Sequence, residues 1–356
     1  MTYDIITIGT ATRDVFLRSP LFRGEIKDRK ELKKLGIMSG EATCFGLGSK
    51  IGIEEPIVEI GGAGINAAVT FSKQGFKTAA FFKIGNDEAG KAVLQRLKEE
   101  KIANLGIVDK KIKTAYSAIL LSPESERTIL TYRGASETVK ESEVPFNKFK
   151  SKWVYISPSN MNFGLVTKIV NHFYAQKSLI AINPSSTMIK IGLKKLAPVL
   201  KKTAVLILNR EEAAYLTGID YNNKEEIFKK LDEAAGGIFA MTDGEKGAWI
   251  SDNKNIYSVE TFKNKKRLDK TGAGDAFGSG FISGLMIKKE GCGKGLCELN
   301  SIIYASRLAA ANATSNVEQV GAETGILTKK DFETNKRWKN LPIKITKTQE
   351  HKNTRT

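Results

Sequence analysis

Cysteine is scarce in these 356 residues. Cys44, Cys292 and Cys297 are odd in number and show no Cys-x-x-Cys spacing, which argues against a disulfide framework or a zinc site. Histidine is scarcer. His172 and His351 are far apart in sequence, which disfavours a histidine-held metal or a histidine-based triad. No apolar run approaches the ~18 residues of a membrane span. The start, MTYDIITIGTATRD, carries Asp4 where a secretion signal would need an unbroken apolar core. No stretch satisfies Gly-x-x-x-x-Gly-Lys-Ser/Thr, so the Walker A phosphate loop is missing. Clustered basic and aromatic residues are missing too, although the formal net charge is +17. From Lys329 onward, nine Lys/Arg against three Asp/Glu give +6; the rest is lysine scattered over expected solvent faces. These absences make a reduced, cytoplasmic protein the expectation, with neither nucleic acid nor membrane as partner.

What is present is regular alternation. YDIITIG (3–9), TAAFFKIG (78–85), WVYIS (153–157), LIAINP (179–184), TAVLILN (203–209) and GIFAMTDG (237–244) read as buried strands. Amphipathic helices separate most of them. This pattern predicts an α/β fold: a mostly parallel central sheet between two helical layers. Two pieces rich in strand character, about 15–60 and 113–133, interrupt it and read as a small β-sheet lid. The expected organisation is one domain over 1–340 with that lid inserted, then a flexible basic tail over 341–356.

Four clusters carry candidate chemistry. Thr271-Gly272-Ala273-Gly274-Asp275 opens an apolar helical run. Gly272, Ala273 and Gly274 leave backbone N–H groups unobstructed at a helix N-terminus, a natural anion site. Asp275 there would repel an anion, which makes sense for a base beside a transferring group; the bland alternative is an acid complementing the helix dipole. Gly62-Ala63-Gly64-Ile65-Asn66 fits the loose dinucleotide pattern, with Asp87 about where a ribose-binding acid would stand. Its position after an irregular insertion, and the polar Asn66, point instead to a small polar ligand. Asn209 and Glu212 share a helix start; they suit hydrated Mg²⁺ or, equally, a capping box. Thr242-Asp243-Gly244-Glu245-Lys246-Gly247 follows a strand and reads as a phosphate-approaching loop or a plain turn.

Together these stretches resemble the ribokinase-like (PfkB) carbohydrate kinases. GGAGINAAVTFSKQGFKTAAFFKIG (61–85) is similar to that family's N-terminal signature and DKTGAGDAFGSGFI (269–282) to its C-terminal one, over about residues 1–328. One departure is Lys270, where the family carries a small residue or proline. The resemblance implies a ribokinase-like three-layer α/β/α domain that transfers the γ-phosphate of ATP to a hydroxyl of a sugar or sugar derivative. It implies Asp275 as general base with the N–H groups of Ala273, Gly274 and Asp275 as anion hole. Asp14, Gly62, Gly64 and Asn66 would bind the substrate. Asn209, Thr242, Gly244, Lys246, Gly247 and Asn312 would bind ATP. Glu212 would hold Mg²⁺ through water, Asp269 and Thr271 a K⁺. A homodimer through the lid is expected. A nucleoside kinase on the same fold, and a non-catalytic nucleotide or sugar sensor, are the alternatives.

Overall fold

Ile6 and Ile8 of the first strand face one apolar cluster, and Ile5 faces another. Successive side chains of a strand point to opposite faces, so an apolar residue at every position needs cover on both. The computed structural model, described for residues 2–22, 28, 42–123, 127–263, 265–288, 292–293, 296–297 and 299–347, supplies that cover. The main sheet has ten strands in the spatial order Ile343–Lys347, Asn255–Val259, Ala248–Ser251, Ile238–Thr242, Val205–Asn209, Leu179–Ile182, Ser151–Ile156, Tyr3–Ile8, Thr78–Phe81 and Ala103–Asn104. Pairing is parallel from Ala103–Asn104 to Ile238–Thr242 and antiparallel in the last three pairs. The three-layer expectation holds.

A second sheet of four strands lies apart, in the order Ile57–Gly61, Thr12–Arg18, Ala115–Leu121, Arg127–Tyr132. The strand Thr12–Arg18 begins before the expected lid boundary at 15, so Asp14 sits within a lid strand. Residues 23–27 and 29–41 of the expected lid lie outside the described residues. Helix Ala63–Lys73 crosses back from Gly62, whose φ of 95° suits only glycine. Gly64 abuts Gly9: a side chain on Gly64 would meet Gly9 Cα at 2.9 Å.

Gly280 and Gly284 let the helix Ala273–Ile287 lie close against the helix Leu299–Val317; a Cβ on Gly280 would meet Ala309 Cα at 3.1 Å. Gly278 is the glycine facing the sheet, where a Cβ would meet the Tyr155 hydroxyl at 2.8 Å. The tail is not loose from 341: Leu341 is buried and Ile343–Lys347 pairs antiparallel with Asn255–Val259. Alternating Ile343 and Ile345 with lysines is an edge-strand pattern, too short to stand out as periodicity. Residues 348–356 lie outside the described residues.

Candidate active site

The helix Ala273–Ile287 begins after Gly272, which is left-handed (φ 75°). Ala273 N–H turns back to Lys270 O at 3.3 Å and Ala276 N–H to Gly272 O at 2.8 Å. Of the three N–H groups expected to form an anion hole, that of Ala273 is thus already engaged, leaving those of Gly274 and Asp275. A Cβ on Gly274 would meet open space. Asp269 clasps this turn: its Oδ1 accepts from Thr271 N–H (2.9 Å) and Thr271 Oγ1 (2.7 Å), its Oδ2 from Gly321 N–H (3.1 Å). Asp269 and Thr271, expected at a K⁺ site, are bonded to each other, and only the remaining lone pairs are open to a cation.

Asp275 is half-buried and its Oδ2 accepts from Asn66 Nδ2 at 2.8 Å. Burial raises its pKa, the Asn66 bond lowers it, and the nearby Asp14 carboxylate raises it again; the net direction is up. Asp14, buried in the lid, accepts from Thr12 Oγ1 at 2.8 Å and is likewise raised, chiefly by burial. Asp14, Asn66 and Asp275, distant in sequence, therefore meet in one enclosed place. The side-chain amide oxygen of Asn66, Oδ1, is buried with no hydrogen-bond partner among the described residues, an acceptor left for a ligand.

On the opposite side of the Ala273–Gly274 turn opens a cleft of about 430 Å³. Thr242, Gly244 and Gly247 form one wall, Ala273 and Gly274 the end, and Phe277, Ala310 and Val317 an apolar floor. Gly247 (φ 87°) has no room for a side chain against Val259. Arg267 and Lys270 also line it, and sequence reading had not counted them among the binding residues. The signal was the off-pattern lysine in the signature.

Four assignments land elsewhere. Asn312 is fully buried; its Nδ2 donates to Ala276 O (2.8 Å) and its Oδ1 accepts from Leu327 N–H (3.0 Å). It is a bridge between helices, not part of the cleft lining. Lys246 is exposed and leans toward Asp243 (3.9 Å) and the Tyr221 ring, away from the cleft. Asn209 and Glu212 form the capping box: Asn209 Oδ1 accepts from Glu212 N–H (2.8 Å) and Glu212 Oε2 from Asn209 N–H (2.9 Å). Burial raises the Glu212 pKa. Among the described residues no three acidic, histidine or cysteine side chains converge on a metal position. Asp87 caps the helix Glu88–Glu99 and accepts from Thr114, which removes the dinucleotide reading.

A doubly layered α/β sheet with a β lid, and a helix N-terminal glycine turn set between an enclosed acid and an open cleft, defines a phosphotransferase architecture. The sequence matches the pfkB family carbohydrate kinase pattern over residues 42–329, and the chain belongs to that family. It is an ATP-dependent phosphotransferase with an alcohol group as acceptor. An uncharacterized sugar kinase of Archaeoglobus fulgidus is 26% identical over 261 residues, covering 72% of this chain and 97% of the relative. The ribokinase of Giardia lamblia superposes with a TM-score of 0.75 at 19% identity, covering 94% of this chain and 98% of that one. The nucleoside kinase of Methanocaldococcus jannaschii gives 0.72 at 20% identity with the same coverage. Among the described residues no helix is long and apolar enough to cross a membrane.

Proposed function

We propose that the acceptor is a hydroxyl of a sugar or sugar derivative and that Asp275 is its general base. The observation that carries this is the placement of Asp275: the enclosed acid and the anion-binding turn are consecutive residues, so base and phosphate site share one helix end. Asp14 and the free Asn66 oxygen accept hydrogen bonds from the acceptor's hydroxyls and orient it. Asp275 takes the hydroxyl proton as the acceptor oxygen bonds to the γ-phosphorus and the bond from that phosphorus to the bridging oxygen breaks, with ADP leaving. The N–H groups of Gly274 and Asp275 donate to the phosphoryl oxygens. Thr242, Gly244 and Gly247 admit the nucleotide's phosphates close to backbone. ATP supplies the phosphoryl group; a Mg²⁺ bound largely through water would neutralise its charge, and Glu212, whose Oε1 stands outside the capping box, would help to order that water.

A second acceptor class, a nucleoside, is favoured by one feature. Phe16, Ile119 and Leu121, on the lid sheet that carries Asp14, form an apolar cluster against which Ile57 of the same sheet and Val320, from beyond the Leu299–Val317 helix, pack. Such a wall suits a flat base beside a diol. The Asp275→Asn variant tests the common chemistry on a mixed sugar and nucleoside panel. Expected is a fall in turnover of at least about a hundredfold, with fold and ATP affinity retained. Near-normal turnover would end this mechanism; absence of any wild-type turnover would favour a sensor.

A further inference from the structure

We propose that Lys270, with Arg267 beside it, holds the leaving diphosphate of the nucleotide, and that the Glu245 carboxylate is the anion these two cations give up when it arrives. The proposal rests on the kinase reading for the identity of the ligand. Lys246, the lysine expected to reach phosphate, is exposed and leans toward Asp243. The cations that line the cleft come instead from the segment just before the 273–287 helix. Lys270 O accepts from Ala273 N–H at 3.3 Å, a tight turn that keeps the two Cα atoms within about 7 Å. Lys270, Ala273 and Gly274 line the same cleft, and Lys270 is half-buried there. The space beside Gly274 is open. A phosphoryl group held by the N–H groups of Gly274 and Asp275 therefore has the rest of its nucleotide on the side of Lys270.

Five charged side chains line this cleft: Glu245, Glu260, Lys263, Arg267 and Lys270. Glu260 and Lys263 are exposed, and Glu260 lies 4.0 Å from Lys344. Arg267 Nη1 donates to Glu245 Oε1, which reaches across from the loop after Ile238–Thr242. Arg267 first, then Lys270, draw the Glu245 pKa below its ordinary value. Two cations thus face one carboxylate, which leaves the cleft positive beside the turn. Glu245 is mostly exposed, and an ion pair so open to water stabilises the fold little. It is easily exchanged for a phosphate, which the guanidinium fork fits as well as it fits a carboxylate. A plain surface ion pair would need neither a cleft nor a second cation. Lys270 is also the position at which this chain departs from the signature it otherwise resembles. In the reaction the bond from the γ-phosphorus to the bridging oxygen breaks, and its electron pair stays on the β-phosphate of ADP. An ammonium beside that oxygen counters the charge as it grows.

The test is calorimetric binding of ADP and of AMP, which lacks the β-phosphate, to the full chain and its variants. Lys270→Met should weaken ADP at least about fivefold and AMP less than about twofold. Its kcat should fall by at least the same factor as its ADP affinity, and its melting temperature should stay close to wild type. Lys270→Arg, which keeps the charge, should recover most of the ADP affinity. Glu245→Gln should bind ADP more tightly than wild type, because Arg267 no longer has a rival anion to leave. Equal losses of ADP and AMP in Lys270→Met, or no loss of either, overturn the proposal even where wild-type turnover is normal. Weaker ADP binding in Glu245→Gln overturns the exchange. Should the wild type turn over no acceptor while ADP and AMP still split, the kinase reading fails and the clamp stands. A wild type that binds neither nucleotide ends both.

Discussion

Glu323 shows what burial does to a charge away from the chemistry. It is 1% exposed, with Oε2 paired to Arg96 Nε at 2.9 Å and Oε1 without a hydrogen-bond partner among the described residues. Burial, with help from the Glu100 and Glu59 carboxylates, outweighs Arg96 and pushes its pKa from 4.5 up to about 7. Between those values the folded chain holds a proton that the unfolded chain has lost. Its contribution to stability is therefore full below about 4.5 and is lost as pH rises through about 7. Glu323→Gln, which cannot ionise, should flatten the fall of melting temperature over that window and equal or exceed wild type above it. Melting curves from pH 4.5 to 8 check this; an unchanged slope counts against it. The lesson at this scale concerns Asn312 and Lys246. Their types suited adenine and phosphate, yet neither contact could be judged before their neighbours were known.

At the scale of elements, two contacts decide more than the sequence suggested. Asp243, in the loop after Ile238–Thr242, binds Arg210 Nη1 (2.9 Å) and the Tyr221 hydroxyl (2.7 Å), with the Arg210 and Asp243 side chains mostly shielded from solvent. This joins the two motifs expected on the nucleotide side, so the cleft wall at Thr242–Gly247 is fixed from behind. Asp243→Ala should raise KM for ATP several-fold, roughly tenfold at most, because a charge-assisted bond of ~1.4 kcal/mol is lost, and should leave KM for the acceptor unchanged. Steady-state kinetics varying each substrate separately check it. The edge strand Ile343–Lys347 is the other contact. A chain ending at Lys339 loses the buried Leu341 and a five-residue pairing, and should melt at least about 3 °C lower. Removing only residues 348–356 is the control, and equal melting of both chains would mean the strand contributes nothing.

At the scale of the whole molecule, the lid is the unfinished part. Every residue of Arg127–Tyr132 is exposed, and this strand is one open edge of the lid sheet. Leu130, Tyr132 and Val58 expose apolar surface together with it. Open edges with apolar side chains invite a further strand, and a second lid is the partner we expect. Light scattering at tens of micromolar should give a dimer, and Leu130→Lys should shift it toward monomer. A wild-type monomer with full activity sinks the dimer.

Much of the architecture was legible from periodicity alone, because strands buried on both faces must read as apolar runs and their helices as amphipathic ones. The glycine turn at 272–274 was legible because few side chains tolerate its backbone. Local spacing also offered the capping box of Asn209 and Glu212, a reading the structure adopts. What the sequence by itself could not decide was everything that depends on approach across long separations. Asn66 and Asp275 stand 209 positions apart, yet they share a hydrogen bond. Asp269 reaches Gly321, and the last strand joins Asn255–Val259. A local pattern fixes which conformations a segment prefers. Which buried polar group receives which partner follows only when the sheet order brings the segments together, since burial and pairing are properties of the packed chain.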